Sequence, residues 1–178
     1  MKKALVISGG GSKGAFAGGV VEFLIREKKK DYDLFLGTST GSLMVSHLAL
    51  GMVDELKMLY TNVNQRSIFS NNPFRIKNVH GVKVVSIRHR NTFWNFLNGR
   101  KTFGESKNLR RLIRANITPK MYDIIREQNK DVVVTVSNLT ANEIEYKSIL
   151  DCEYEDFCDW IWGSCNYVPF MSLLEKNS

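Results

Sequence analysis

Leu34-Phe35-Leu36 runs into Gly37-Thr38-Ser39-Thr40-Gly41, and an apolar stretch of helical character, Leu43 to Leu50, follows at once. Few local structures satisfy that order. Three apolar residues suit a short buried strand, and G-x-S-x-G between a strand and a helix is the pattern of a nucleophile elbow. Such a turn holds its central residue in a strained backbone conformation, so the side chain stands clear of the strand's end. The flanking Gly37 and Gly41 let strand and helix approach closely. The helix that follows turns its free N–H groups back toward the corner, a field that favours developing negative charge. Ser39 is the expected nucleophile. The competing reading, a plain Gly/Ser/Thr loop, explains neither flanking element.

The chain opens with a second corner of the same kind. Ala4 to Ser8 reads as a short buried strand, Gly9-Gly10-Gly11-Ser12-Lys13-Gly14 follows, and Ala15 to Lys29 reads as a helix with Phe16, Val20, Phe23 and Leu24 at helical spacing. The loop matches G-x-G-x-x-G, the dinucleotide fingerprint, and Asp31 or Asp33 lies about 20 positions on. An acid that binds ribose belongs at the carboxyl end of the second strand, beside the ligand crevice. Both acids here precede that strand, and Ser39 occupies its carboxyl end. A P-loop would need Gly-Lys-Ser/Thr, which is absent. In a parallel sheet the ends of the first two strands point the same way, which sets the glycine loop beside Ser39. Its backbone N–H groups, those of Gly9, Gly10, Gly11, Lys13 and Gly14, then suit an oxyanion hole, and Lys13 adds a positive charge.

Taken together, the G-G-G-x-[RK]-G loop at Gly9–Gly14 and the G-x-S-x-G elbow at Gly37–Gly41 resemble the patatin-like phospholipases. The likeness is firm over the first 50 residues or so and returns at Trp162-Gly163-Ser164-Cys165-Asn166-Tyr167-Val168-Pro169-Phe170. It implies a three-layer α/β fold with a mainly parallel central sheet, related to the α/β hydrolases. It also implies a lipid acyl hydrolase working through a Ser–Asp dyad, with a lipid ester as substrate and no metal or other cofactor. The family's aspartate stands in a D-G-G or D-G-A motif beyond the proline segment. No Asp-Gly pair occurs here, and the chain reaches Ser178 where the motif falls due. The expectation is a single domain over 1–178 that represents the N-terminal portion of the family's domain, incomplete at its C-terminus and weak or inactive alone. Asp151, Asp156 and Asp159 lack the motif.

Histidine does not fill the gap. His47 stands eight residues past Ser39 on one expected helix, roughly 12 Å along the axis, beyond hydrogen-bond reach. His80 and His89 lie in a basic segment with no preceding acid in the usual order. Surface or structural roles are expected for all three. Cys152, Cys158 and Cys165 read as buried reduced thiols, since no His lies near enough for a metal site.

The rest of the chain alternates strands and helices. Asp54 to Tyr60 reads as helix and Gln65 to Asn72 as loop, while Val82 to Gly104 carries no decodable pattern. Glu105 to Ala115 is an expected helix. Thr118 caps the next, with Pro119 at its first position. Asp131 to Ser137 is the clearest strand, Glu143 to Ile149 its hairpin neighbour, and Glu155 to Asn166 a helix.

Charge is unevenly spread under a net +7. Arg75 to Arg114 holds eleven Lys/Arg against one acid, Glu105, together with Phe93, Trp94, Phe96 and Phe103. Cations beside aromatics suit an anionic membrane surface and suit nucleic acid almost as well; a solvated face with inward aromatics is the third reading. This segment, about 75–114, is expected to be an insertion or lid-like region, with peripheral membrane contact and no nucleic acid. Lys2-Lys3 before Ala4–Ile7 starts like a signal peptide, but the apolar run is too short. No run approaches the roughly 18 residues of a membrane span, so a cytoplasmic protein, peripheral to a membrane, is expected. A non-catalytic lipid- or protein-binding module and an acyltransferase of related fold are the alternatives.

Overall fold

The computed structural model describes residues 2–176, so the extreme ends of the expected 1–178 domain lie outside the described residues. Contacts group the chain into two units, Met1–Val63 with Ile113–Cys165, and Asn64–Leu112 with Asn166–Ser178. Their elements run β1 (Ala4–Ile7), α1 (Gly14–Arg26), β2 (Leu34–Thr38), α2 (Ser42–Ala49), α3 (Val53–Asn62), α4 (Gln65–Ile68), β3 (Phe74–Val79) and β4 (Val82–Ile87). There follow α5 (His89–Leu97), α6 (Lys107–Asn116), α7 (Pro119–Glu127), β5 (Asp131–Asn138), β6 (Glu143–Ser148) and α8 (Tyr154–Cys165).

In the first unit the sheet order is β1-β2-β5-β6. β1, β2 and β5 are parallel, with Ile7 opposite Gly37 and Gly37 opposite Val134. β6 returns antiparallel to β5. The α/β class with a mainly parallel central sheet is therefore as expected, consistent with a three-layer arrangement. Side chains alternate across a sheet, so Leu5, Phe35 and Val132 share one face with Ile7 and Val134. All five are buried, under α2 and α8. Burying side chains of this kind stabilises the fold by about 1.5–3 kcal/mol apiece. The opposite face differs from the expectation of a strand buried on both sides. Val6 there is 65% exposed, and Ile144 and Tyr146 of β6 stand equally open. A run of four apolar letters cannot say which face has a cover.

Local chemistry sets the helix starts. Thr118 has extended backbone angles, and its Oγ1 accepts the Met121 N–H at 3.3 Å, with Pro119 next in line. That cap is as expected. Arg114 near the end of α6 donates to buried Asp159 at 3.1 Å and pairs with Glu155 at 2.6 Å. Asp159 is thus held by a guanidinium.

In the second unit the structure corrects two readings. Residues 65–72 are not all loop, because Asn64 Oδ1 accepts the N–H groups of Arg66 and Ser67 and caps the short α4. The segment without a pattern contains β4 and α5, and β3 with β4 forms an antiparallel hairpin. Both strands are exposed nearly throughout. With no buried face there is no alternation to read. Phe74, Phe103 and Phe170 form the unit's aromatic cluster, with ring centroids 5.3–5.4 Å from Phe170. Of the basic segment's aromatics, Phe103 turns in while Phe93, Trp94 and Phe96 stay exposed.

Candidate active site

Ser39 sits at φ +53, a left-handed conformation that a residue with a side chain adopts at a cost of about 1–2 kcal/mol. Such strain persists only where the surroundings dictate it. Here they do so from three sides. The Ser39 N–H donates to Ser164 Oγ at 2.8 Å. The Ser39 carbonyl accepts from Ser42 Oγ at 2.5 Å and from Cys165 Sγ at 3.2 Å. One residue back, the Thr38 and Thr135 hydroxyls share a 2.6 Å hydrogen bond across β2 and β5. Tyr60 then donates to the Thr40 carbonyl at 2.9 Å.

The glycine loop lies against this corner. A Cβ on Gly9 would meet Ser39 Cβ at 2.8 Å and Ser39 Oγ at 3.6 Å. The two corners therefore share one rim of the sheet, at the carboxyl ends of β1 and β2. Gly14 approaches the elbow as well, within 3.1 Å of Thr40 Oγ1 by the same measure. Gly11 turns at φ +57, a conformation open to glycine without strain. The Lys13 N–H donates to the Gly10 carbonyl, and the Gly14 N–H to the Gly11 and Ser12 carbonyls. Those two donors close the loop's own turn. The N–H groups of Gly10, Gly11 and Ser12 have no acceptor among the described residues. Lys13 is exposed.

Ser39 is half-buried, and its Oγ makes no hydrogen bond among the described residues. The acids weighed for a dinucleotide site lie elsewhere: Asp33 Oδ2 accepts the Lys3 N–H at 2.7 Å, at the amino end of β2. His80 and His89 are exposed and belong to the other unit.

His47 is buried in α2, and its Nδ1 has no hydrogen-bond partner among the described residues. Burial lowers its pKa below the ordinary 6.5, with the Glu55 carboxylate opposing. Below that pH the unfolded chain takes up a proton that the folded chain refuses. Stability is therefore fully present above 6.5 and falls as pH drops below it. Denaturant midpoints measured from about pH 7 down to about pH 5 should decline, and His47→Gln should flatten part of that decline. An unchanged slope in the variant would remove His47 from the acid response.

The support that Ser164 and Cys165 give Ser39 escaped the reading of the sequence. They stand 125 and 126 residues from Ser39, and no local pattern links them to the elbow. Burial pushes the Cys165 thiol up to about 12, so it stays protonated and serves as a donor. Cys158 is likewise pushed up to about 11. All three cysteines are free, and among the described residues no cluster of His, Cys, Asp or Glu could hold a metal ion.

A family model described as Patatin-like phospholipase matches residues 5–177. An uncharacterized protein of Acanthamoeba polyphaga mimivirus is 44% identical over 54 residues, covering 28% of this chain and 14% of that protein. The match thus spans about a seventh of the curated relative's length. No solved structure matches the chain.

Proposed function

The chain belongs to the patatin-like phospholipase family, and on that premise we propose that it is a serine acyl hydrolase acting on lipid esters with Ser39 as nucleophile. The observation that supports this most is the meeting of the two corners, Gly9 against Ser39, with Ser39 at φ +53. Ser39 Oγ attacks the ester carbonyl carbon, and the carbonyl π pair moves onto oxygen. The oxyanion rests on the N–H groups of Gly10 and Gly11, each such donor contributing about 3 kcal/mol or more. The alcohol departs with a proton, and water then attacks the acyl-enzyme and restores the serine. Gly37 and Gly41 hold the elbow's backbone close, while Lys13 and Gly14 close the loop that presents the donors.

The proton from Ser39 goes to an aspartate. No Asp-Gly pair occurs in the sequence, and Asp159 is engaged by Arg114, so we place that aspartate outside residues 1–178. Residues 75–114 are then an insertion within one domain. The lack of a hydrogen bond to Ser39 Oγ among the described residues equally suits a non-catalytic lipid-binding module, and one experiment separates the two. A fluorophosphonate probe should form a single adduct, mapped by mass spectrometry to the peptide bearing Ser39. The Ser39→Ala variant should form none. An adduct that survives Ser39→Ala, or no adduct over prolonged exposure on the protein that carries this aspartate, rejects the nucleophile.

A further inference from the structure

Between Glu55 and Glu105 the sequence contains no Asp or Glu. The structure gathers several of that stretch's basic side chains around one cleft. Arg75, Lys77, Arg88, His89 and Arg90 line a cleft of about 780 Å³ with Trp94 at its wall. In the hairpin Arg75 lies opposite Ser86 and Lys77 opposite Val84. Cross-strand partners share a face, so the two cations look out from one side while Ile76 and Val85 occupy the other. Next to the His80-Gly81 turn at the far end of the hairpin, Val79 pairs with Val82 on the same face as the two cations. Val82 is 65% exposed and Trp94 59%. Among the described residues, Arg75, Lys77, Lys83, Arg88 and Arg90 have no carboxylate partner.

Two costs are left standing by this arrangement. Like charges crowd a cleft with nothing to neutralise them, and valines and aromatics sit in water. A lone two-stranded hairpin is also marginal in water. One occupant removes both costs. We propose that the hairpin and the start of α5 form a docking surface for a bilayer bearing anionic phospholipids. Phosphate and carboxylate groups of the lipids enter the cationic cleft, while the valine tip and Trp94 reach into the boundary between head groups and acyl chains. Such basic segments and interfacial aromatics are what a charged bilayer attracts. A nucleic acid would also meet the cations, and Trp94 could stack on a base, but it offers nothing to Val79 and Val82, which share the cations' face. The valines decide for lipid. The surface is independent of the chemistry at Ser39 and stands whether or not that serine is reactive.

The test is co-sedimentation of the chain with vesicles of phosphatidylcholine alone and of phosphatidylcholine mixed with phosphatidylserine. Binding should require the anionic lipid and weaken as salt is raised. The triple variant Arg75→Glu, Arg88→Glu, Arg90→Glu should lose affinity by roughly a hundred-fold, as the loss of several cations at a charged surface dictates. Val82→Asp should weaken binding on its own, and it carries the comparison if the triple variant does not fold. Anionic vesicles should also shift the tryptophan emission to the blue, and Trp94→Phe should remove that shift while the chain still sediments. Equal binding to neutral vesicles, undiminished binding by both variants, a shift that survives Trp94→Phe, or tighter binding to a single-stranded RNA oligonucleotide at the same salt would each overturn the proposal.

Discussion

Gly41→Ala is expected to destabilise the protein by at least about 3 kcal/mol, against every local rule. Gly41 has φ −63 and ψ −37, ordinary right-handed angles at the entrance to α2. In a helix, alanine normally stabilises relative to glycine by about 0.8–1 kcal/mol. The neighbour reverses the sign. A Cβ on Gly41 would press into the carbonyl oxygen of Ile7, with the Ile7 carbonyl carbon 2.9 Å away and Cγ2 at 3.1 Å. Ile7 cannot retreat, because it is buried and paired to Gly37 in the parallel ladder. The elbow cannot retreat either, tied as it is through Ser39 to Ser164 and Cys165. Denaturant unfolding would measure the loss, with Gly19→Ala as the comparison. Nothing lies within 4 Å of a Cβ on Gly19, inside α1, so that substitution should stabilise. Equal midpoints for Gly41→Ala and the parent chain would mean that β1 and the elbow do not touch as described.

That contact explains how much could be read from letters alone. The elbow, the glycine loop and the cap at Thr118 are legible because each is a backbone requirement met by residues a few positions apart. β5 is legible because Val132, Val134 and Val136 meet a core. The β3–β4 hairpin is not, since neither of its faces is buried and Val82-Lys83-Val84-Val85 shows no period. The exposure of Val6 was hidden for a related reason, as a strand's composition reports that it is apolar and not which side is covered. At the site, the parallel order of β1 and β2 was enough to bring Gly9 to Ser39. It could not tell which loop amides are already engaged. Lys13 and Gly14 donate within their own turn, a matter of hydrogen-bond direction that spacing does not encode. Nor could it show a cysteine thiol supporting the strained serine, a contact that depends on α8 ending beside β2.

Gly9→Ala is the substitution that separates the site from the fold. Its Cβ would stand 2.8 Å from Ser39 Cβ and 3.3 Å from the Thr38 carbonyl oxygen. One partner must yield, and the two are held unequally. Thr38 and Ser39 are fastened by Thr135, Ser164 and Cys165, whereas Gly9, Gly10 and Gly11 are exposed and close only through their own short turn. The loop gives way. A displacement of about 1 Å there carries the Gly10 and Gly11 N–H groups off the position proposed for the oxyanion, and misplacement of that size lowers rates by roughly a hundred-fold. The fluorophosphonate labelling rate should therefore fall by about two orders of magnitude, while the denaturant midpoint moves far less than for Gly41→Ala. The two measurements respond to different atoms, since one depends on amides that are free to shift and the other on a carbonyl that is not. If labelling and stability declined together, or labelling stayed at the parent's rate, the donors for the oxyanion would have to be sought on the elbow itself, at the start of α2.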